Sequence, residues 1–534
     1  MLIIGVIMRV TMSSHQVDRG KLVLKTAFVS GLISHGVMMF NKISMHDDLG
    51  IWMSSCGVSS GRWVGRIYDS WMRALFGAKV SAPLWGGLWS IFFVAISAWL
   101  LLDMFDINRK LTTIFITTLM VSFPSVVNTF MYMNSAESFL GAFMLMTIAA
   151  WLTAKYKKGW LIAAPLIGIS LGIYQAYLGW YLSALLLLGI KIVMSDIVEF
   201  RKLATHGFLG GGFGVAFYTI ALKLASWITG ISVSSYQGLN EMQQLDLLYR
   251  IKSIKKCYMN FVYLLTQNWY GMASTRFVRY LYAVLDVCLI VSFIMYIYVN
   301  RAKTFRAKIL ATISFALLPV AISVLYLMTT EQTSVALLTW YPMVMALIVI
   351  PVLVEWWKNE TANNPNGDST ISYGVYRTVK TVAYGALAIV ILYYVYLANG
   401  TYLRLTFLQE QISAYMTTMV TSIKMTDGYR DEYPVLWVGA GRIEDGSVNN
   451  DQQWKAFAIG YSQDTMGQMI NNYAWRGFLE HHIGYKPNEI TLDDISSEVK
   501  NQINGMPCYP DDGSIQVIDE VVVVKMGEIK ENDE

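Results

Sequence analysis

Long apolar runs recur from residue 22 to residue 398, and polar segments separate them. A membrane-spanning helix needs roughly 20 consecutive, mostly apolar residues. The pattern therefore predicts eleven spans, at 22–40, 85–102, 111–127, 136–154, 160–173, 178–194, 206–228, 280–299, 309–328, 335–357 and 380–398. Residues 1–21 precede the first span as an N-terminal tail.

The composition supports this interpretation. Of the 534 residues, 55% are hydrophobic and only 15% are charged, whereas soluble domains carry about a quarter charged residues. We therefore predict a polytopic α-helical membrane protein. The net charge of +4 says little by itself, because orientation depends on how basic residues are distributed among the loops. No nucleic-acid partner is expected.

Basic residues concentrate in alternate loops. Lysine and arginine occur at 109–110, 155–158, 201–202, 301–308 and 358–379, whereas the short loops 128–135, 174–177 and 329–334 contain neither. Loops rich in these residues stay on the cytoplasmic side of a membrane. The N-terminus is therefore predicted to be cytoplasmic, and the long segments 41–84 and 229–279 are predicted to lie outside.

The residues after the last span have a different pattern. A helix is predicted at 402–423, buried strands at 435–439 and 521–525, and a further helix at 464–482. A segment of about 130 residues is long enough for an independent domain. We expect three parts: a cytoplasmic tail at 1–21, a membrane domain at 22–398 with its outer loops 41–84 and 229–279, and a small α/β domain outside the membrane at 399–534.

Asp47 and Asp48 lie side by side beyond the first predicted span. A carboxylate can accept a proton from a hydroxyl nucleophile, and a like-charged neighbour raises the pKa of one member of the pair. The alternative is a structural pair that caps the helix or forms a salt bridge. The adjacent His46 leaves a divalent cation open, but no further ligands are evident nearby.

The segment 62–76 has the spacing of an amphipathic helix. Apolar residues, including two tryptophans, recur on one stripe, while Arg62 and Arg66 fall on another. Such helices lie at the membrane surface, and the planar guanidinium suits phosphate. Two alternatives remain open for these arginines: phosphate binding or simple anchoring. A second basic segment, with Arg276 and Arg279 before the eighth span, leaves the same alternatives open.

Three more polar residues fall at the predicted outer ends of spans. Glu137 begins the fourth span, and Tyr174 and Gln175 lie in the turn between the fifth and sixth. Ionisable groups at such depth usually face the bundle interior or a water-filled cavity. We expect these residues to line one outward-facing pocket with Asp47.

Other kinds of site are not indicated. The sequence contains no phosphate-binding loop, no dinucleotide fingerprint after a strand and no zinc-protease motif. The glycines at 210–214 lie within a predicted span, where close helix packing explains them better than phosphate binding does.

Four features together resemble a known family. They are the Asp47-Asp48 pair after the first span, the sequence Gly61-Arg62-Trp63, a proline (Pro83) before the second span, and Tyr174-Gln175-Ala176. In these residues the chain resembles the serotype-converting O-antigen glucosyltransferases of bacteria and phages, over about residues 20 to 400. The resemblance is most specific in the first outer loop and faint in the tail.

The resemblance implies a GT-C-like enzyme of the bacterial inner membrane. Such enzymes move glucose from undecaprenyl phosphate-glucose to a hydroxyl of lipid-linked O-antigen on the periplasmic face, with inversion. By analogy Asp47 or Asp48 is the base, which needs no covalent intermediate. Arg62 and Arg66, with Arg276 or Arg279, would hold the donor phosphate, and Glu137, Tyr174 and Gln175 would line the sugar pocket.

On this interpretation no cofactor is expected, and metal-free transfer is favoured over use of a divalent cation. The expected partners are the donor lipid, the lipid-linked acceptor and membrane lipids. Whether the donor-lipid synthase and flippase are also partners is left open. Two other functions also remain open: a transporter or flippase of a lipid-linked sugar, and a polymerase of lipid-linked glycans. The basic segments would suit a transferase and both of these alternatives. The outer carboxylate pair, Asp47 and Asp48, is therefore the feature that discriminates between the functions.

Overall fold

The computed structural model describes residues 14–43, 45–48, 57–234, 247–266, 275–299, 304–328, 337–363, 369–439, 457, 459 and 475–528. The chain divides into two compact units. The first unit, which we call the membrane unit, comprises 1–42 and 54–399, and the second comprises 43–53 and 400–534. The segment that contains Asp47 and Asp48 therefore groups with the second unit.

The membrane unit is helical in its described residues. Its helices are α1 (Ser14–Phe40), α2 (Trp63–Phe76), α3 (Pro83–Met104), α4 (Lys110–Ser122), α5 (Pro124–Phe130), α6 (Met133–Lys155), α7 (Gly159–Ile173), α8 (Leu178–Ser195), α9 (Ile197–Thr229), α10 (Leu247–Thr266), α11 (Arg276–Val299), α12 (Phe305–Ile322), α13 (Leu325–Met328), α14 (Val344–Asn363) and α15 (Ser369–Met425), the last of which continues into the second unit. Short 3-10 helices lie at Val58–Ser60, Gln175–Tyr177 and Leu337–Met343.

Each predicted span coincides with helical structure. Within the described ranges, nine helices are long and apolar enough to cross a membrane, and the bent pair α4–α5 supplies a tenth span. The eleventh prediction corresponds to α7, which is apolar but has only 15 residues. The predicted class, a polytopic helical membrane protein with a small C-terminal sheet region, is confirmed.

The bend between α4 and α5 has a local cause. Proline has no N–H to donate and disfavours helical backbone in the residue before it. Phe123, which precedes Pro124, accordingly has an extended conformation with φ −60° and ψ 137°, and the two helices meet at 42°. After the bend, α5 leads directly to the start of α6, where Glu137 lies.

Glycines bring α7 and α9 into close contact. A Cβ at Gly214 of α9 would lie 3.1 Å from the carbonyl oxygen of Ala164 in α7, and one at Gly168 would lie 3.1 Å from the carbonyl oxygen of Gly214. The predicted packing role of the glycines at 210–214 is confirmed at this position. The tight packing fixes the end of α7, after which Tyr174 and Gln175 follow.

One end of the membrane unit is held by buried polar contacts, which we call the Asp103 cluster. Arg19 of α1 binds the Asp103 carboxylate of α3 at 2.6 Å and also donates to the carbonyl oxygen of Ile107 at 3.1 Å. Trp151 of α6 donates to the second Asp103 oxygen at 2.9 Å. The cluster therefore joins three helices through one carboxylate.

The second unit contains a four-stranded sheet. Its elements are β1 (Val435–Val438), α16 (Trp475–Phe478), β2 (Glu489–Ile490), α17 (Ser497–Gly505), β3 (Ile515–Ile518) and β4 (Val521–Lys525). The strand order is β2-β1-β4-β3, with β1 parallel to both neighbours and β3 antiparallel to β4.

The core of this unit lies between the sheet and α17. Leu436 and Val438 of β1 and Val523 of β4 pack with Val499 and Ile503 of α17. The strands predicted at 435–439 and 521–525 correspond to β1 and β4. Of the predicted helix 464–482, residues 475–482 are helical and 464–474 lie outside the described residues.

Candidate functional site

Helix α2 has two unlike faces. Ile67, Trp71, Leu75 and Phe76 are each more than half exposed, whereas Gly65 and Asp69 are buried. A helix with a large apolar stripe on its outer side is suited to lie at a membrane surface. The inner face of α2 packs against the end of α7. A Cβ at Gly172 of α7 would lie only 2.6 Å from the Trp63 ring of α2.

A buried ion pair fastens the far end of α2. Lys79, in the loop that follows the helix, binds the Asp69 carboxylate at 2.7 Å, and both side chains are at most 5% exposed. The Lys79 ammonium also lies 5.4 Å from the centre of the Tyr68 ring. Removing one member of a buried pair leaves a buried charge without its ionic partner. This pair was not predicted, since neither residue belongs to a recognisable motif.

Arg62 immediately precedes α2 and rests on two aromatic rings. Its guanidinium carbon lies 5.3 Å from the centre of the Phe139 ring and 5.1 Å from that of Tyr174, and these two rings stack on each other at 4.2 Å. Cations are attracted to the faces of aromatic rings. The arrangement holds the planar guanidinium in one orientation, with its N–H edges left for other partners.

The charge of Arg62 is not neutralised within the described structure. Its side chain is half-buried, its Nε is inaccessible to solvent and has no acceptor, and no carboxylate lies within 4 Å of it among the described residues. A desolvated donor without an acceptor is costly. Arg62 is therefore the residue of this region best placed to receive an anionic group.

Glu137 lies on α6, the helix that also carries Phe139. It is 7% exposed, and its Oε1 accepts a hydrogen bond of 3.2 Å from the Tyr68 hydroxyl of α2. Burial, and then the nearby Glu137 carboxylate, raise the pKa of Tyr68 far above its usual value. We call Arg62, Tyr68, Glu137, Phe139 and Tyr174 the Arg62 cluster.

Gln175 joins three parts of the membrane unit through its side chain. Its side-chain amide donates to the carbonyl oxygen of Ser60 at 3.1 Å and to the Tyr218 hydroxyl at 3.2 Å. The first bond ties the turn after α7 to the loop that carries Arg62, and the second ties it to α9. Tyr218 was not predicted, because nothing in the sequence of the span distinguishes it from an aromatic packing residue.

Asp47 and Asp48 lie in a short 3-10 helix, His46–Asp48, whose contacts group it with the second unit. The backbone N–H of Asp48 donates to the carbonyl oxygen of Met45 at 2.8 Å. Helix α1 ends at Phe40, so neither aspartate caps it. The other structural alternative, a salt bridge, stays open. The two side chains differ in access: Asp48 is fully buried and Asp47 is half-buried.

The remaining predicted arginines occupy other places. Arg66 is exposed on α2, one turn after Arg62. Arg276 and Arg279 lie in the first turn of α11, where Arg276 is exposed and Arg279 is half-buried. The structure thus brings Arg62 into contact with Tyr174, joins Glu137 to α2 through Tyr68, and places Gln175 in support of the Arg62 loop.

No group of three or more potential metal ligands occurs within the part of the chain that the structure describes. The roles of metal ions and of the individual site residues stay predictions.

Comparison with known proteins identifies the family. A family model described as Glucosyl transferase GtrII matches residues 36–351, more than half of the chain. The chain belongs to this family. The resemblance predicted from the first outer loop is confirmed, and the chain is a polytopic, GT-C-like membrane protein with a role in glucosyl transfer.

The GtrII match covers all the site residues predicted from the sequence and ends within α14. A glucosyl transferase requires a sugar donor and an acceptor, so both follow from membership of the family. Neither a curated protein nor a solved structure matches the chain.

Proposed function

We propose that this chain transfers glucose from undecaprenyl phosphate-glucose to a hydroxyl of lipid-linked O-antigen, at the periplasmic face of the bacterial inner membrane. Family membership supports glucosyl transfer. The distribution of basic residues in the loops supports a cytoplasmic N-terminus, which would put the Arg62 cluster and the second unit on the periplasmic side.

The observation that carries the proposal is the environment of Arg62. Its half-buried guanidinium has no carboxylate partner among the described side chains and lies at the start of a helix with an exposed apolar face. A lipid phosphate at the membrane surface fits such a site. As the glycosidic bond breaks, negative charge develops on the phosphate oxygens, and a fixed cation in a desolvated place stabilises that charge most effectively.

Transfer with inversion requires one base. The carboxylate accepts the proton of the acceptor hydroxyl while the hydroxyl oxygen attacks the anomeric carbon of the sugar. The bond from that carbon to the phosphate oxygen breaks, and its electron pair leaves with the lipid phosphate. We assign the base to Asp47, because it is half-buried and can meet a substrate, whereas the fully buried Asp48 is suited to positioning the segment.

The other members of the Arg62 cluster have two uses in this proposal. The Tyr174 ring, which is 3% exposed and stacked on Phe139, orients the Arg62 guanidinium beside the phosphate position. Glu137 offers carboxylate oxygens that can accept hydrogen bonds from sugar hydroxyls. Arg66, Arg276 and Arg279 would assist through general attraction for anionic lipid.

The test is expression in a bacterial host that supplies the donor lipid and the acceptor polysaccharide, with O-antigen mass and linkage as the readout. We expect the wild type to add one hexose per repeat, Asp47→Asn to abolish the addition, and Asp48→Asn to retain part of it per amount of folded protein. Addition that survives Asp47→Asn would remove the base assignment. No added mass with the wild type would favour a flippase or a polymerase.

A further inference from the structure

A second group of basic side chains lies at the end of the membrane unit opposite the Arg62 cluster. Near the start of helix α3, a Cβ at Gly86 would lie 3.1 Å from Glu137. The helix ends at Met104, at the other end of the unit, and Arg109 follows it. There α4 begins, α14 ends and α15 begins. Arg109 donates to the Tyr376 hydroxyl of α15 at 3.1 Å, and the Thr112 and Tyr384 hydroxyls share a hydrogen bond of 2.8 Å.

Glu355 of α14 attaches the third helix to this junction. Its Oε1 accepts from the backbone N–H groups of Asn108, at 2.8 Å, and Arg109, at 3.3 Å. The side chain is only 2% exposed. The carboxylate is thus engaged by main-chain donors at the start of α4, and it forms no ion pair within 4 Å in the described residues.

Three half-buried cations surround this attachment, and we call them the basic pocket: Arg109, Lys358 and Lys380. Lys358 is one turn after Glu355 on α14, and Lys380 is one turn after Tyr376 on α15. Lys358 lies within electrostatic range of both of the other cations. None of the three has a carboxylate within 4 Å among the side chains that the structure describes.

Other lysines at the same end of the unit, beside the Asp103 cluster, do have carboxylate partners. At the same end of the unit, Lys155 lies 3.6 Å from Asp103 and 3.5 Å from Asp106, and Lys191 lies 2.8 Å from Asp106. Like charges that are gathered and partly desolvated repel each other. Glu355 offsets one of the three positive charges from a longer distance, so the basic pocket keeps an excess of positive charge that suits an anionic ligand.

The depth of the pocket indicates what that anion is. It lies where the apolar stretches of α14 and α15 end, and Tyr373, 60% exposed, stands one turn before Tyr376. Exposed tyrosines mark the headgroup level of a bilayer, and basic pockets between spanning helices bind anionic headgroups. We propose that Arg109, Lys358 and Lys380 form a binding site for the phosphate of an anionic phospholipid, separate from the glucosyl-transfer site.

The test uses the purified full-length chain in a neutral detergent, with phosphatidylglycerol added. Two variants are compared: a triple variant with Arg109→Gln, Lys358→Gln and Lys380→Gln, and a control with Lys110→Gln and Arg377→Gln, which removes exposed charges at the same end. We expect binding to weaken roughly fivefold per removed pocket charge and on the order of a hundredfold for the triple variant. The control variant should bind within about threefold of the wild type.

Two further arms keep the test decisive. Inorganic phosphate at the same concentrations should bind far more weakly than phosphatidylglycerol, and equal binding would overturn the assignment to a lipid. If the triple variant does not fold, Lys358→Gln alone should weaken binding and Lys358→Arg should restore it. The proposal would be overturned if the folded triple variant, or the folded Lys358→Gln variant, bound phosphatidylglycerol as tightly as the wild type.

Discussion

Arg19 and Arg62 occupy comparable positions at the two ends of the membrane unit, yet their surroundings differ. Arg19 is buried and bound to a carboxylate at 2.6 Å and to a backbone carbonyl oxygen. Arg62 is half-buried and contacts two aromatic rings, and within the described ranges it has no carboxylate partner. The first arginine completes a structural contact, while the second keeps its charge for a ligand.

The comparison separates two uses of charge in an apolar setting. A paired charge at a helix junction holds the helices together, and its loss appears as lost stability. A charge that rests on aromatic rings contributes little to holding the helices, and its loss appears in function. Both uses occur at the same end of the membrane unit, because the Lys79–Asp69 pair lies at the same end as Arg62. The position of a charge along the unit therefore does not determine its use.

The largest loss of stability is expected at that pair. Lys79→Met leaves the buried Asp69 carboxylate without its ammonium, and such a loss typically costs about 3–5 kcal/mol. We expect the apparent free energy of unfolding in detergent to fall by about 4 kcal/mol. A control substitution of the exposed Arg73 to Met should change it by less than about 0.5 kcal/mol. Equal stability of Lys79→Met and the wild type would show that the pair does not hold α2.

The Asp103 cluster should be nearly as sensitive. Arg19→Met removes the closer of two ionic partners of Asp103, which retains Lys155 at 3.6 Å and its contact with Trp151. We therefore expect a loss near the lower end of the range for a buried pair, about 3 kcal/mol. Glucosyl transfer per folded molecule should stay within about twofold of the wild type. Arg19 contacts Asp103 near the end of α3, whereas the Arg62 cluster lies near its start. Thermal unfolding in detergent, followed by an activity assay on the folded fraction, measures both. A stable but inactive variant would contradict the assignment of a purely structural role.

Tyr68 should give a smaller effect with a defined pH dependence. Tyr68→Phe removes a hydrogen bond to the Glu137 carboxylate, and such bonds contribute about 1.5–3 kcal/mol. Because the folded pKa of Tyr68 is raised above its unfolded value of about 10, its contribution should be constant below pH 10. It should then decline as the pH rises through the folded pKa. Comparison of unfolding for the wild type and Tyr68→Phe between pH 7 and 11 measures this, and a decline that begins near pH 7 would refute it.

The spans and the two main strands were predictable because each depends on a local pattern. Apolar runs marked every span, although the run at α7 is short, and Val435–Val438 and Val521–Lys525 had the composition of buried strands. The family followed from short motifs of the first outer loop. These features require no knowledge of which helix packs against which.

The rest depends on contacts between distant residues. Arg62 and Arg66 fall on one stripe of the helical pattern, yet only Arg62 reaches the rings of Phe139 and Tyr174. Likewise, the different burial of Asp47 and Asp48 arises from tertiary packing, which two adjacent identical residues cannot reveal. The Tyr68–Glu137 bond joins residues 69 positions apart.

The rate of glucosyl transfer by an Arg62→Gln variant tests the central claim most directly. The assay supplies the donor lipid and a lipid-linked acceptor to purified protein, and Arg66→Gln serves as the matched control from the exposed side of α2. We expect Arg62→Gln to lower the rate per folded molecule on the order of a hundredfold, the scale of one lost electrostatic contact to developing charge, with a melting temperature close to the wild type. Arg66→Gln should stay within about twofold. An Arg62→Gln enzyme that transfers glucose at the wild-type rate would contradict the account.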